Sequence, residues 1–218
     1  MTSLTFLALS TSLVKTVLRV HSLPIPAVKS EEQLKNVTSE FGELSISAAV
    51  DSELVNDFHA LGALHISQWG ETPEGSGFQN PAFVKHHETI LNLAPSSVEI
   101  LQVRAGDTLV AYGYYLIHNR RAYFYCSGIN FDIATNSIKP GYLLHYLAMC
   151  HFSEQGLLSY DFLGGDYRYK KSLSNHNYDF TTMTFFSSSP VAKVLEAANR
   201  VIKKCTNLMV SSHQNESV

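Results

Sequence analysis

The sequence predicts an α+β chain, an α/β sandwich whose mixed, mostly antiparallel central sheet carries helices on both faces. Three observations predict it. Residues 98–129 hold three runs rich in β-branched and aromatic side chains, parted only by the tight turns "AGD" and "NRR", which marks an antiparallel meander. After Pro140–Gly141, "YLLHYLAMCHFSEQG" repeats apolar residues at helical spacing and leads into the short apolar run "LLSYDFL". A strand–helix–strand unit of this kind adds a parallel neighbour to the meander. Finally, helical patterns stand both before the meander and after the last strand.

The 218 residues are 45% hydrophobic and 11% aromatic, enough for a sizeable core. A formal net charge of −3 gives no electrostatic case for nucleic acid, whose partners carry a strongly basic face. Cys126, Cys150 and Cys205 are too few and too far apart for a disulfide framework or a metal site. A reducing, cytoplasmic compartment is therefore the expectation.

The first 28 residues read as an atypical leader closed by the breaker "LPIPA". Lys15 and Arg19 follow its apolar run rather than precede it, the wrong order for a secretory signal, and the run is too short for a membrane span. Residues 29–206 are expected to form one domain, and residues 207–218 a polar tail.

Within that domain, "SEEQLKNVTSEFG" reads as a helix capped by Ser30 and stopped by Gly42. "ELSISAAV" alternates like a strand. Asp51 then caps a helix in which Leu54, Phe58, Leu61 and Leu64 recur on one face, and Gly70 ends it. "ETPEGSGFQ" is a loop, and Asn80–Pro81 open the next helix with Pro at its first position. The meander follows, then the Pro140 helix closed by Gly156, the strand "LLSYDFL", a further strand "DFTTMTFF", and a last helix from Ser189–Pro190. No G-x-G-x-x-G follows a strand and no P-loop lysine occurs, which excludes a doubly wound nucleotide fold.

The stretch "YDFLGGDYRYK" resembles the Asp-Phe-Leu-x-Gly-Asp-x-x-Tyr-Lys pattern of the GNAT-type acyltransferases named after the cellulose-biosynthesis protein CelD, relatives of the Fem-type peptidyltransferases. The matching positions are Asp161, Phe162, Leu163, Gly165, Asp166, Tyr169 and Lys170. Upstream, Phe131, Pro140, Gly141, Leu143, Leu144 and Gly156 match the family's loop and Pro-Gly helix. "FHALGALHISQWG" and "FQNPAFVKHH" resemble its earlier helices. The likeness runs in unbroken order from about Ser30 to Leu173. Two features depart from the pattern. Tyr167 stands where the family often has Glu, with Leu173 near its usual Trp, and the Gln/Arg-x-x-Gly-x-Gly/Ala phosphate loop of ordinary GNAT enzymes is missing.

The resemblance implies a GNAT-like sheet in which two neighbouring parallel strands splay apart to admit an acyl-pantetheine arm. These would be the strands of Cys126–Ser127 and Asp161–Phe162. The helix start at Lys139, Pro140, Gly141 and Tyr142 would meet the diphosphate of acyl-CoA, a co-substrate, and no metal is implied. Acyl transfer to an amine needs a base, an oxyanion donor and an acid for the thiolate. Tyr169 is the candidate acid, or else a core tyrosine. Asp161 and Asp166 are candidates to take the proton or hold the ammonium, and Asp166 reads equally as a turn cap. Lys170 resembles the lysine that Fem-type enzymes place beside the reacting carbonyl or a phosphate.

Trp69, Tyr123 and Tyr125 are candidate acceptor-binding residues. The two tyrosines share one strand face, which points either into the cleft or against a helix. His86, His87, His118, His145 and His151 show no metal-ligand grouping and read as surface or satisfied histidines.

The expected function is acyl-CoA-dependent N-acyl transfer to the amine of a small molecule or sugar. Two alternatives stand beside it. One is a degenerate GNAT domain that binds a ligand or partner in envelope or exopolysaccharide biosynthesis. The other is a Fem-like transferase using aminoacyl-tRNA.

Overall fold

The structure, a computed structural model, describes residues 7–10, 15–21, 27–165, 167–180 and 183–186. Its elements in chain order are β1 (Leu7–Ser10), β2 (Lys15–His21), α1 (Ala27–Phe41), β3 (Leu44–Ala48), α2 (Leu54–Trp69), α3 (Pro81–Leu93), β4 (Val98–Ala105), β5 (Thr108–His118), β6 (Arg121–Ile129), α4 (Pro140–Glu154), β7 (Ser159–Gly164), α5 (Arg168–Leu173), β8 (His176–Phe180) and β9 (Met183–Phe186). The helix and strand pattern is the mixed α+β one expected from the sequence.

Two compact units divide the chain, one spanning Thr16–Tyr178, the other combining Met1–Lys15 with Asp179–Val218. In the second, β1 and β9 form a two-stranded antiparallel sheet from Leu7↔Phe186 to Ser10↔Met183. The helix expected after Ser189 and the polar tail lie outside the described residues.

The larger sheet has the strand order β3-β4-β5-β6-β7-β2-β8. β4, β5 and β6 are the expected meander, with antiparallel registers throughout. Gly106 turns the first hairpin at φ +52°, and Asn119 and Arg120 turn the second in the left-handed region, where a primed two-residue turn matches strand twist. β7 is parallel to β6, reached through the α4 crossover. β2 lies inside the segment read from sequence as a leader, yet its backbone pairs antiparallel with β7, His21 opposite Ser159.

The helices fall on the two faces as the alternation demands. On one face, α2 and α3 bury Phe58, Leu61 and Leu91 against Ile100, Tyr112 and Tyr114. On the other, α1 and α4 bury Val37, Leu143, Leu144 and Ala148 against Val103, Val110 and Ala111, continuing into Phe124, Tyr160 and Phe162. Each fully buried large apolar side chain contributes roughly 1.5–3 kcal/mol of burial free energy. α2 crosses β6 so closely that a Cβ on Gly128 would lie 2.5 Å from the Leu61 carbonyl oxygen, so only glycine fits there. α2 begins at Leu54 after Glu53 rather than at an Asp51 cap. α3 starts as read, the Asn80 side chain accepting from the Ala82 N–H with Pro81 at the first position. Among the described residues no helix is long and apolar enough to cross a membrane.

Candidate active site at the seam between β6 and β7

β6 and β7 pair over only three positions: Arg121↔Ser159, Ala122↔Tyr160 and Tyr123↔Asp161. Beyond Tyr123 both strands continue, to Ile129 and Gly164, without pairing. Each strand has a local reason to part from the other. On β6, Tyr114 pairs with Cys126 and Tyr115 with Phe124, which makes Tyr125 an extra residue. A bulge of this kind bends its strand and ends regular pairing. On β7, the Asp161 side chain accepts a 2.9 Å hydrogen bond from the Leu163 N–H, and Leu163 sits at φ +57°, a conformation L-residues enter only when held.

Lys170 of α5 then occupies the carbonyls of β7. Its Nζ donates to the Phe162 and Gly164 oxygens, 2.8 Å each. The Leu158 N–H bonds the Arg120 carbonyl across the seam, so by strand alternation the Phe162 carbonyl, which precedes the left-handed Leu163, faces β6. Lys170 is 5% exposed. Burial lowers its ammonium pKa to about 8, against the opposing pull of Asp161.

The seam opens into a cleft of about 410 Å³. Ser127 on β6, the α4 start at Lys139–Tyr142, His145 and Tyr169 line it, together with Trp69 at the end of α2. Of the residues named from sequence, the structure thus brings together Trp69, Ser127, Lys139, Pro140, Gly141, Tyr142 and Tyr169. The start of α4 has no side-chain cap. The Tyr142 and Leu143 amides bond the Lys139 carbonyl, so of the first amides only that of Gly141 is left without an intrahelical acceptor by its position. A Cβ built on Gly141 meets nothing within 4 Å. Lys139 Nζ donates to Thr135 O at 3.3 Å, and Tyr142 Oη bonds Ser172, tying α4 to α5.

The other named residues lie elsewhere. Asp161 is fully buried. Besides the Leu163 amide it accepts from the Tyr178 hydroxyl at 3.0 Å and faces Arg121 at 3.8 Å. Cys126 packs beside the α2–α3 cluster, and burial pushes its thiol up to about 12. Tyr125 lies against α3, its hydroxyl 3.1 Å from His87 Nε2. Tyr123 stands opposite Leu116, which packs on that same face, with the Arg121 guanidinium over its ring. The pair shares a face, as read, and that face is the helical one. Asp166 lies outside the described residues.

Tyr169 is half-buried, which raises its hydroxyl to about 12, so it is protonated at neutral pH. Its ring stacks on His145 at 5.2 Å and 13°. Of the two readings open for His145, surface or satisfied, the structure shows the second on one ring nitrogen: the ring is 4% exposed, with Nδ1 2.8 Å from the Tyr160 hydroxyl, and it also lines the cleft. A signal was present: His145 lies four residues after Gly141, and residues at that spacing share a helix face. His87, in contrast, has both ring nitrogens engaged, by Tyr114 and Tyr125.

Splayed parallel strands, a helix start at their mouth and a tyrosine after the second strand are the arrangement that the family resemblance implied. The acetyltransferase (GNAT) domain profile matches residues 31–171, and the chain belongs to that family. Among solved structures, the C-terminal domain of a putative lysylphosphatidylglycerol synthetase from Agrobacterium fabrum is similar with a TM-score of 0.53 at 13% identity, covering 89% of this chain and 66% of that one. A protein of unknown function from Bacteroides thetaiotaomicron gives 0.56 at 9% identity, covering 83% and 62%. A GCN5-related glucosamine N-acetyltransferase region of a fungal β-N-acetylglucosaminidase gives 0.50 at 9% identity, covering 84% and 21%. The chain thus spans just under two thirds of the first two structures' length. No curated protein matches.

Proposed function

We propose that the protein transfers an acyl group from acyl-CoA to the amine of a small molecule or sugar, as a CelD-type member of the family acting in the cytoplasm. The observation that carries this reading is the seam that stops pairing after Tyr123 and Asp161 and opens into the cleft beneath the start of α4. The unpaired edge of β6 offers backbone groups to an extended arm. The uncapped α4 start, with open space at Gly141, suits an anionic diphosphate through its free amide and positive end. A formal net charge of −3 favours a small donor over a tRNA.

In the reaction the amine nitrogen forms a bond to the thioester carbonyl carbon and the carbon–sulfur bond breaks, leaving an amide and the thiol of CoA. Tyr169 donates its proton to the departing sulfur and is reprotonated, by way of solvent, by the second proton that the nitrogen sheds as the amide forms. Asp166 takes the proton of the attacking ammonium. Asp161 and Lys170 have a positioning role, since their polar atoms hold the end of β7. Trp69 flanks the acceptor's path. Tyr123 and Tyr125 pack on the α2–α3 face and have no part in acceptor binding, and Cys126 contributes backbone to the arm's track.

Thermal melting of the full chain with acetyl-CoA, longer acyl-CoAs and free CoA tests the reading. At a hundredfold excess over Kd, bound donor adds about 2.7 kcal/mol, which raises the midpoint by roughly 5–10 °C for a chain of this size. An unmoved midpoint with every one of these ligands contradicts it.

A further inference from the structure

The buried end of the cleft holds a polar atom that the protein's own network leaves unused. Tyr160 donates its hydroxyl proton to Tyr115 Oη, 3.3 Å away. Tyr160 Oη therefore receives the hydrogen bond from His145, and the proton of the ring is on Nδ1. Nε2 is then a bare lone pair. Among the described residues no hydrogen bond reaches it, and the ring lines the cleft. Burial, reinforced by the nearby Lys170 ammonium, depresses the imidazole to about 3. The ring is neutral at working pH and acts as an acceptor.

Its surroundings select what it accepts. Phe124 and Phe162 pack edge-on against the ring at 4.6 and 5.0 Å, and Tyr169 covers one face. The Phe162 and Gly164 carbonyls of β7 are already held by Lys170. A ligand N–H that reaches this end of the seam thus meets an apolar wall in which His145 Nε2 is a free acceptor. His145 lies one turn, about 6 Å, along α4 from Gly141 on the same face. A ligand anchored at the helix start and extended along the cleft passes over it.

We propose that His145 is a donor-binding residue: its Nε2 accepts a hydrogen bond from an amide N–H of the pantetheine arm of CoA. The inference rests on the acyl-CoA reading above and deepens it. Recognition of the arm is assigned to a side chain of the helix as well as to the strand edge.

The test titrates the full chain calorimetrically with CoA and, separately, with adenosine 3′,5′-bisphosphate, which lacks the arm. His145→Asn keeps a donor toward Tyr160 and loses the acceptor in the cleft. His145→Phe loses both and retains the stacking on Tyr169. His145→Gln places an amide oxygen where Nε2 stood. CoA binds about tenfold more weakly to the Asn and Phe variants, near wild-type to Gln, and the bisphosphate binds all four proteins alike. CoA affinity unchanged in Asn and Phe overturns the inference and leaves the acyl-CoA reading standing. So does an equal weakening of the bisphosphate, because that reports a collapsed site. Wild-type protein that binds neither ligand overturns the reading and the inference together. Should the variants fail to fold, 15N-histidine spectra of wild type decide: the His145 Nε2 resonance moves on adding CoA and not on adding the bisphosphate, and a resonance that CoA leaves in place overturns the proposal.

Discussion

Lys170 reaches back along the chain to hold the carbonyl oxygen of Phe162 at 2.8 Å, and a second bond of the same length ties it to Gly164. The lysine of the Tyr-Lys motif thereby acts on the protein's own backbone, at the place where β7 leaves β6. Lys170→Met removes two charge-assisted bonds and leaves both carbonyls without their donor. Unfolding in urea is expected to show a loss of about 2–3 kcal/mol, with weaker CoA binding as the end of β7 relaxes. Stability within 0.5 kcal/mol or so of wild type, the usual range for exposed sites, would contradict this role.

Two glycines separate packing from binding. Gly128→Ala drives a Cβ into the Leu61 carbonyl, backbone that cannot swing aside, and costs about 1–3 kcal/mol. Gly141→Ala meets open space and gains up to about 1 kcal/mol from the lower helical cost of alanine. Its Cβ nevertheless stands where a phosphate oxygen would approach, so CoA affinity falls while the midpoint holds or rises. Paired melts and titrations check both, and unaltered CoA affinity in Gly141→Ala would remove the diphosphate from the start of α4.

Acid sensitivity reports on His145. Its folded pKa, about 3, lies below the 6.5 of an unfolded histidine. Between these values the unfolded chain binds the extra proton, so stability is complete above about pH 6.5 and is lost as pH falls toward 3. Between pH 6 and 4 the wild type should lose about 1.4 kcal/mol per pH unit more than His145→Gln. Denaturant midpoints measured across that window decide, and parallel profiles would show that the imidazole is not buried neutral.

Tyr169→Phe keeps the ring that stacks on His145 and deletes the hydroxyl alone. Turnover with a working amine should fall about 10²–10⁴-fold, with CoA affinity and melting midpoint held. An unchanged rate would take Tyr169 out of the protonation of the thiolate.

The sequence made the sheet's centre legible because alternation and tight turns act locally: the three strands of residues 98–129 and their hairpins can be read residue by residue. Pro140–Gly141 and the Gly-Asp-x-x-Tyr-Lys corner marked the helix start and the tyrosine that the fold brings to one cleft. β2 was missed although "KTVLRVH" holds Val17, Leu18 and Val20, because so short a run beside the breaker "LPIPA" does not name its partner, which is β7. The bulge at Tyr125 left no mark either, for it arises from the register against β5. The bonds made by Asp161 and Lys170 depend on where α5 returns, which no periodicity encodes. His145 looked isolated because Tyr160 and Tyr169 reach it from β7 and α5, elements remote in sequence and adjacent only in the fold.

Amide hydrogen exchange along β6 tests the central claim most directly. In the free protein, the seam-facing amides of residues 124–128 should exchange quickly while the paired amides of residues 121–123 stay protected, and CoA should slow the former selectively. Protection across 124–128 equal to that of β5 before any ligand is added, or exchange that CoA leaves unchanged, would contradict the account.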